Sequence, residues 1–580
     1  MFKRTALVLS LMFVAVAAEA KPRWVRVSVP AENADSSIVI AWNTDDAPDD
    51  NFVEFGAGPG TAFETTQTGT SFQAKGQLGT VHEVTLTGLS AETAYTYRVG
   101  GPVGGYSDVH SFRTGPNDGC TPFRFIASGD HRSDDDFGPS PKWESILGEM
   151  EATGATFVVE TGDLVKDGED LKQWVNHMDM GALHMGELAL MPSFGNHDSD
   201  DVQGVSAAFN QLFSLPTNDK SATEDFYAFE YGNAVFAGLS TATFDDPEGF
   251  AMQAQWLDET LAEHADKTWR FVFFHHPVYT SHIDLGFAEL NHPPDERGQA
   301  QHFVPIFDKH HVDVVFAGHN HFYERFAPMK GGEVVGSPAD GTVYVTTGGA
   351  GAFTYDEIDV FGFKVEPMSI ICGDGLLGLS GKAKGSQLCS GKHHYMEVEL
   401  DGPTLSVVVR STAAQNFSTS QDNVAVIDTF SITKSPGPLD ECAPPEVPDE
   451  APVDPGPADA GSADVGPVDA GPVEPADAGP ADASGPIETD AGPIDADAGP
   501  VESDVGTSAP DGSPDSGTSV IGADTKGSGV PSEPTGGTTA SSGESSGGCT
   551  AGGGQGGPDA VAGLLLLLLG MGAGLRRLHN

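Results

Sequence analysis

Five short polar segments, each coming directly after an apolar run, constrain this chain more tightly than any other feature of it. They are Ser128-Gly129-Asp130, Thr161-Gly162-Asp163, Gly195-Asn196-His197-Asp198, His275-His276-Pro277 and Gly318-His319-Asn320-His321. Residues 123–127, 155–160, 270–274 and 312–316 are among the apolar runs ahead of them, and they read as buried strands. Between them lie helical patterns such as 251–264, with Trp256, Leu257 and Leu261 on one face. Buried strands alternating with helices make a layered α/β domain whose helices cover the sheet. In such sheets ligands gather outside the carboxyl ends of the strands, so the five segments converge on one site. A single Gly-Asp after a strand is an ordinary turn, and a lone His-x-His is ordinary surface. Five Asp, Asn and His segments in succession at strand ends form a ligand set.

The remaining regions differ in kind. Residues 25–29, 37–42, 83–87 and 94–99 alternate apolar and polar, with Gly, Asn, Asp and Pro between them, which predicts an all-β sandwich over 21–116. Nothing in that region looks chemical, and its expected role is packing against the next domain. Residues 1–20 begin Met-Phe-Lys-Arg, continue with a short apolar run and end Ala18-Glu19-Ala20, the pattern of a secretory signal peptide. Residues 443–558 are rich in Pro, Ala, Asp, Gly and Ser, repeat Asp-Ala-Gly-Pro and lack aromatic residues. That composition buries too little apolar surface to offset its ordering entropy, so a disordered, extended tether is expected. Residues 559–580 hold an unbroken run of six leucines, 564–569, and then Arg576-Arg577, the pattern of a C-terminal membrane anchor.

Charge and cysteine usage narrow the classes further. The net charge of −55 argues against a nucleic-acid binder, which needs a basic footprint. Five cysteines in an exported chain permit disulfides. Cys372 and Cys389 are placed to close a small loop, and Cys120 and Cys442 flank the region of the five segments. Connectivity stays open at this level, as does the alternative of free buried thiols.

The order Gly-Asp, Gly-Asp, Gly-Asn-His-Asp, His-x-Pro, Gly-His-x-His resembles the signature of calcineurin-like metallophosphoesterases. The stretch from Val312 through Gly318-His319-Asn320-His321 to Glu324-Arg325 resembles purple acid phosphatases in particular. The strand order ahead of it is similar to the fibronectin type III-like domain that precedes those enzymes. The resemblance covers residues 22–430 and implies a fibronectin type III-like sandwich followed by a four-layer α/β sandwich flanked by helices, over about 120–436. It also implies two metal ions drawn from Fe, Zn and Mn. Asp163 would bridge them. Asn196, His275 and His319 would complete the second site, and Asp130 and His321 would hold the first. His197 would protonate the leaving group, with Asp198 holding its ring. In the His-x-Pro pattern the first His is the ligand, so His276 reads as packing or as a contact behind the ligands. The C-terminal tail is similar to the sorting tails of myxobacterial-type surface proteins, although it carries one cysteine, Cys549, where those often carry more.

The sequence departs from the family at the first metal. The purple enzymes place Tyr three residues after the second Asp, where this chain has Lys166. Other relatives place His two residues after the first Asp, where this chain has Arg132. Three readings follow. His131 bends in as a shifted ligand; or Arg132 and Lys166 bind substrate phosphate beside a weakly held first metal; or the site is degraded. Under all three the protein is not purple. In the loop after Tyr279, His282 is the candidate phosphate contact, with Asn291 and His292 nearby.

The expectation is an exported, metal-dependent phosphatase acting on phosphate monoesters, at the cell surface, outer membrane associated, or secreted after tail processing. Its partner would be the cell envelope, through the tail. The same ligand set suits a phosphodiesterase or nucleotidase. A non-catalytic surface module on this scaffold is weakened by the intact Asn196-His197-Asp198 and His319/His321 motifs. An adhesin would rest on the sandwich and tether alone, and fold does not give function.

Overall fold

The computed structural model describes residues 21–437 and residue 439, apart from 46–48, 61–62, 134–135, 200–203, 205–206, 285–289, 356–357, 361–362, 366, 374–379 and 414–423. The expected signal peptide, tether, C-terminal anchor, Cys442 and Cys549 therefore lie outside the described residues. Everything described falls in one compact unit. Among these residues no helix is long and apolar enough to cross a membrane.

The N-terminal domain is β-rich. One antiparallel sheet holds Arg23–Ser28, Ser37–Thr44, Thr80–Thr87 and Thr70–Gln73 in that spatial order. The other runs Thr65–Thr68, Phe52–Ala57, Ala94–Gly101 and Gly105–Tyr106, with His110–Arg113 also paired to Ala94–Gly101. Alternation does what the sequence pattern predicts: Val84 and Leu86 are buried while Thr85 and Thr87 face out. The domain is fastened to its neighbour by side chains at its base. The Trp24 indole donates to Asp179 at 2.7 Å, the Tyr97 hydroxyl to the Gly186 carbonyl at 2.6 Å, and the Val27 N–H to the Met185 carbonyl at 3.0 Å. Its apolar residues and those of the next domain form one continuous core.

The second domain is built on two mixed sheets. In the first, Ala189–Pro192, Phe157–Glu160 and Phe123–Ser128 are parallel, and His394–Asp401, Thr404–Ser411 and Val426–Thr433 continue it antiparallel. In the second, Ala234–Gly238, Trp269–Phe274, Val314–Ala317 and Val343–Thr347 are parallel. Tyr227–Tyr231 joins one edge antiparallel, and Tyr323–Phe326 and Ser386–Ser390 extend the other. Phenylalanines join the sheets: Phe125, stacked on its strand neighbour Phe157 at 5.4 Å, meets Phe236 and Phe271 of the other sheet edge-on at 5.0 and 5.3 Å. Trp143–Glu151 and Leu171–Gly181 pack on the first sheet; Pro247–Glu263 and Ala300–His310 pack on the second.

The expected helix at 251–264 starts a turn earlier. Asp246 caps it by accepting from the Gly249 N–H at 2.6 Å, and Pro247 occupies the first turn. Cys372 and Cys389 form a disulfide inside a small apolar cluster with Ile283, Leu290, Phe322 and Tyr355. Cys120 is also disulfide-bonded.

Candidate metal centre

The strand ends deliver four ligand atoms to one point. His275 follows strand Trp269–Phe274 and is fully buried. Its Nε2 lies 2.9 Å from Asn196 Oδ1, 3.1 Å from His319 Nδ1 and 3.3 Å from Asp163 Oδ1. Its Nδ1 donates to the Thr161 carbonyl at 2.7 Å, which fixes the tautomer and leaves the Nε2 lone pair facing the other three donors. Beside this group, Asp130, Asp163 and His321 bring one donor atom each within 4.8 Å of one another. His321 Nδ1 donates to the Phe353 carbonyl at 2.7 Å, while its Nε2 is buried without a partner, 3.7 Å from Asp130. A buried, unpartnered imidazole nitrogen grouped with two carboxylate oxygens within 4.8 Å is an arrangement that a metal ion would satisfy. Both groups therefore fit metal ions: Asn196, His275 and His319 on one side, Asp130 and His321 on the other, and Asp163 between.

The backbone at these ligands is unusual. Asp130, Asp163 and His319 have φ of 60°, 58° and 67°, left-handed values that non-glycine residues rarely adopt. Such conformations persist where the surroundings over-determine them, and here hydrogen bonds do so. The His319 N–H bonds Asp130 at 2.9 Å, and the His197 N–H bonds Asp163 at 3.0 Å. Glycine supplies the clearance. A Cβ on Gly195 would lie 2.4 Å from Asp163 Oδ1, and one on Gly318 would lie 2.3 Å from Asp130 Oδ2.

Burial sets the protonation states. It pushes His275 below the usual histidine range and His319 and His321 well below it, so the imidazoles are neutral, the form that binds metal. Burial and the Asp163 charge push Asp130 well up. Burial also works against ionised Asp163, but His275, His197 and Arg132 outweigh it and hold that carboxyl low.

Asp198 is placed differently from expectation. Its carboxylate accepts four main-chain N–H groups, from Asp163, Leu164, Val165 and Gly195, at 2.8–3.2 Å. It locks the Asp163 loop to the Asn196 loop. The His197 ring is held instead by the Lys166 carbonyl, 2.6 Å from Nδ1. The reason is reach: a short aspartate at the close of the 195–198 turn meets main-chain donors before it meets the neighbouring ring.

The two cations also separate. Arg132 Nε donates to Asp163 Oδ2 at 3.2 Å, inside the centre. Lys166 Nζ turns outward to exposed Asp136 at 3.2 Å. His131 is not a shifted ligand, because its ring faces away from the centre. It stacks on Trp143 at 3.6 Å, reaches His177 at 3.2 Å and lies 3.7 Å from buried Glu160. His282 is tied by its N–H to the Gly381 carbonyl at 3.0 Å, and among the described residues no hydrogen bond or ring contact joins it to the ligands. The loop histidine that reaches them is His292, whose ring lies 3.9 Å from that of His319. His276 walls the centre, as packing: Nδ1 meets the Thr241 hydroxyl at 2.9 Å and Nε2 accepts from Arg297 at 3.4 Å. Glu296, 3.0 Å from His319 Nε2, had no signal in the sequence beyond lying in the same loop.

Comparison with known proteins agrees with this geometry. Residues 101–323 match the calcineurin-like phosphoesterase family, and residues 22–114 match the purple acid phosphatase N-terminal domain. The fold and the paired ligand groups thus define a metallophosphoesterase, a hydrolase of phosphoesters. Purple acid phosphatase 18 of Arabidopsis thaliana is 25% identical over 338 residues, spanning 57% of this chain and 71% of that protein. An uncharacterized protein of Mycobacterium tuberculosis is 25% identical over 334 residues, 52% of this chain and 61% of its own length. A purple acid phosphatase from yellow lupin seeds shares the fold with a TM-score of 0.56 at 17% identity, covering 71% of this chain and 74% of that one. Within its class the chain is purple acid phosphatase-like.

Proposed function

We propose that this protein is an exported phosphatase that hydrolyses phosphate monoesters, with His197 as the proton donor and Arg132 as a phosphate contact. The observation that carries the reading is the convergence of Asn196, His275, His319 and Asp163 within 3.3 Å of His275 Nε2, with His197 on the adjoining turn. Bound Fe, Zn or Mn would supply Lewis acidity and a water of lowered pKa. The chain's own residues do the rest. Thr161 and Phe353 carbonyls hold the His275 and His321 rings with a lone pair turned inward. The Lys166 carbonyl accepts a hydrogen bond from the Nδ1–H of His197, so that ring must carry a second proton on Nε2 before it can give one to a leaving oxygen. Arg132 lies beside the shared Asp163, and that position supports the reading that its guanidinium meets a phosphate oxygen next to the metals. Asp198 keeps the Asp163 and His197 loops in register.

The reading of export rests on residues 1–20, and that of envelope attachment on 559–580. The two antiparallel sheets at the N-terminus support a fibronectin type III-like module of 21–116. The helices on both mixed sheets support a four-layer sandwich for 120–436. The test is to strip the full chain of metal and assay p-nitrophenyl phosphate and bis(p-nitrophenyl) phosphate while returning Zn, Mn or Fe. Monoester turnover restored by metal is the expected result. Turnover of the diester alone would reassign the substrate, and no turnover with any metal would remove the enzyme reading.

A further inference from the structure

The three ligand imidazoles are oriented in two different ways. His275 and His321 each give their outer N–H to a main-chain carbonyl, of Thr161 and Phe353. His319 instead turns Nε2 to a side-chain carboxylate, Glu296 Oε2, at 3.0 Å, while Nδ1 faces His275 at 3.1 Å. We infer that Glu296 is the positioning residue of the second metal site: it holds His319 as the Nε2–H tautomer, aims Nδ1 at the metal and raises its basicity. This inference rests on the metal-site reading above.

The loop that carries Glu296 is built to hold it still. The preceding Asp295 sits at a left-handed φ of 51°. Its N–H donates to the Pro277 carbonyl at 3.0 Å, and its carboxylate accepts from Ala300 N–H at 2.7 Å at the start of helix Ala300–His310. Gln299 donates to the His276 carbonyl at 2.8 Å. The loop is thereby tied on both sides of Glu296 to the segment that supplies His275. A carboxylate behind a ligand histidine differs from a carbonyl there in one respect: its full charge strengthens the imidazole as a donor. Among the described residues no main-chain acceptor faces the His319 ring as one does for the other two ligands, and Glu296 takes that place. His292 Nδ1, 3.7 Å from the same carboxylate oxygen, lies on the open side of the pair.

The experiment is zinc titration of the stripped full chain by calorimetry, with the variants Glu296→Ala and Glu296→Gln. Glu296→Ala is expected to weaken the tighter zinc site by about 10–100-fold. Glu296→Gln, whose amide oxygen still accepts from Nε2–H, is expected to recover most of that loss. In 15N spectra of the metal-free chain, His319 is expected as the Nε2–H tautomer in the parent and as a mixture in Glu296→Ala. Zinc binding unchanged in Glu296→Ala would overturn the inference. So would a third zinc equivalent that the parent binds and Glu296→Ala loses, because Glu296 would then be a ligand itself. A parent chain that takes up no zinc would instead remove the metal-site reading, and an unchanged His319 tautomer would still overturn this one.

Discussion

His275 and His321 are both buried histidines that turn Nε2 toward an aspartate, yet the two halves of the centre around them are not equivalent. Around His275 the donors are an amide, a second imidazole and a shared carboxylate, all within 3.3 Å. Around His321 there are two aspartates, one of them shared, with no fourth protein ligand among the described residues. Where relatives add a Tyr or a His, this chain has Lys166 turned to solvent and Arg132 bonded to the shared Asp163. The carboxylate that faces His275 is the shared Asp163, so the Arg132 hydrogen bond bears on both halves. What sets the first half apart is that it has one protein donor fewer among the described residues, and that the Arg132 charge also acts on Asp130 and His321. The first metal is therefore expected to bind more weakly than the second.

The sharpest way to break this comparison is to remove its stronger half. His275→Ala is expected to abolish turnover and one metal equivalent together, checked by metal analysis alongside the p-nitrophenyl phosphate assay. A variant that kept both would put the second site elsewhere. Next, His197→Ala is expected to lower kcat by about 10²–10⁴-fold while metal content stays at the parent value. Loss of metal in that variant would make His197 a ligand, not a proton donor. The asymmetry itself is tested by Arg132→His, which returns an imidazole to the first half. First-site affinity is expected to rise by about tenfold, roughly 1.4 kcal/mol, in a metal titration. No change would mean that the missing ligand is not what weakens it. The smallest effect belongs to Lys166→Ala. Its ion pair with Asp136 is exposed and is worth about 0–1 kcal/mol, so KM for phosphate esters is expected to move by less than about twofold. A larger shift would return Lys166 to the substrate site.

The roles read from the motif order divide by how each side chain finds its partner. Asp130, Asp163, Asn196, His275, His319 and His321 were legible because each follows a buried strand, and strand ends converge wherever parallel strands share a sheet. The place of His197, on the turn beside Asn196, was legible too, and its proton-donor role is the proposal that His197→Ala tests. The sequence reading put His282 ahead of His292 as the phosphate contact, although a loop of this length can bring either ring inward. The structure brings His292 to His319 and pins His282 to Gly381. The ring-holding role expected of Asp198 failed for a local reason: four N–H groups compete for its carboxylate.

By itself the sequence determined which residue types are available and which strand ends carry them. Periodicity and strand-end position are local properties, and they survive without a partner. The tertiary structure decided what each polar group faces. His131 and Arg132 are adjacent in the chain, yet one packs on Trp143 while the other reaches Asp163. Glu296 meets His319 across 23 residues because Asp295 and Gln299 tie its loop to the His275 segment. Such pairings depend on which buried donors are left unsatisfied once the sheets have packed, and no spacing in the chain encodes that remainder.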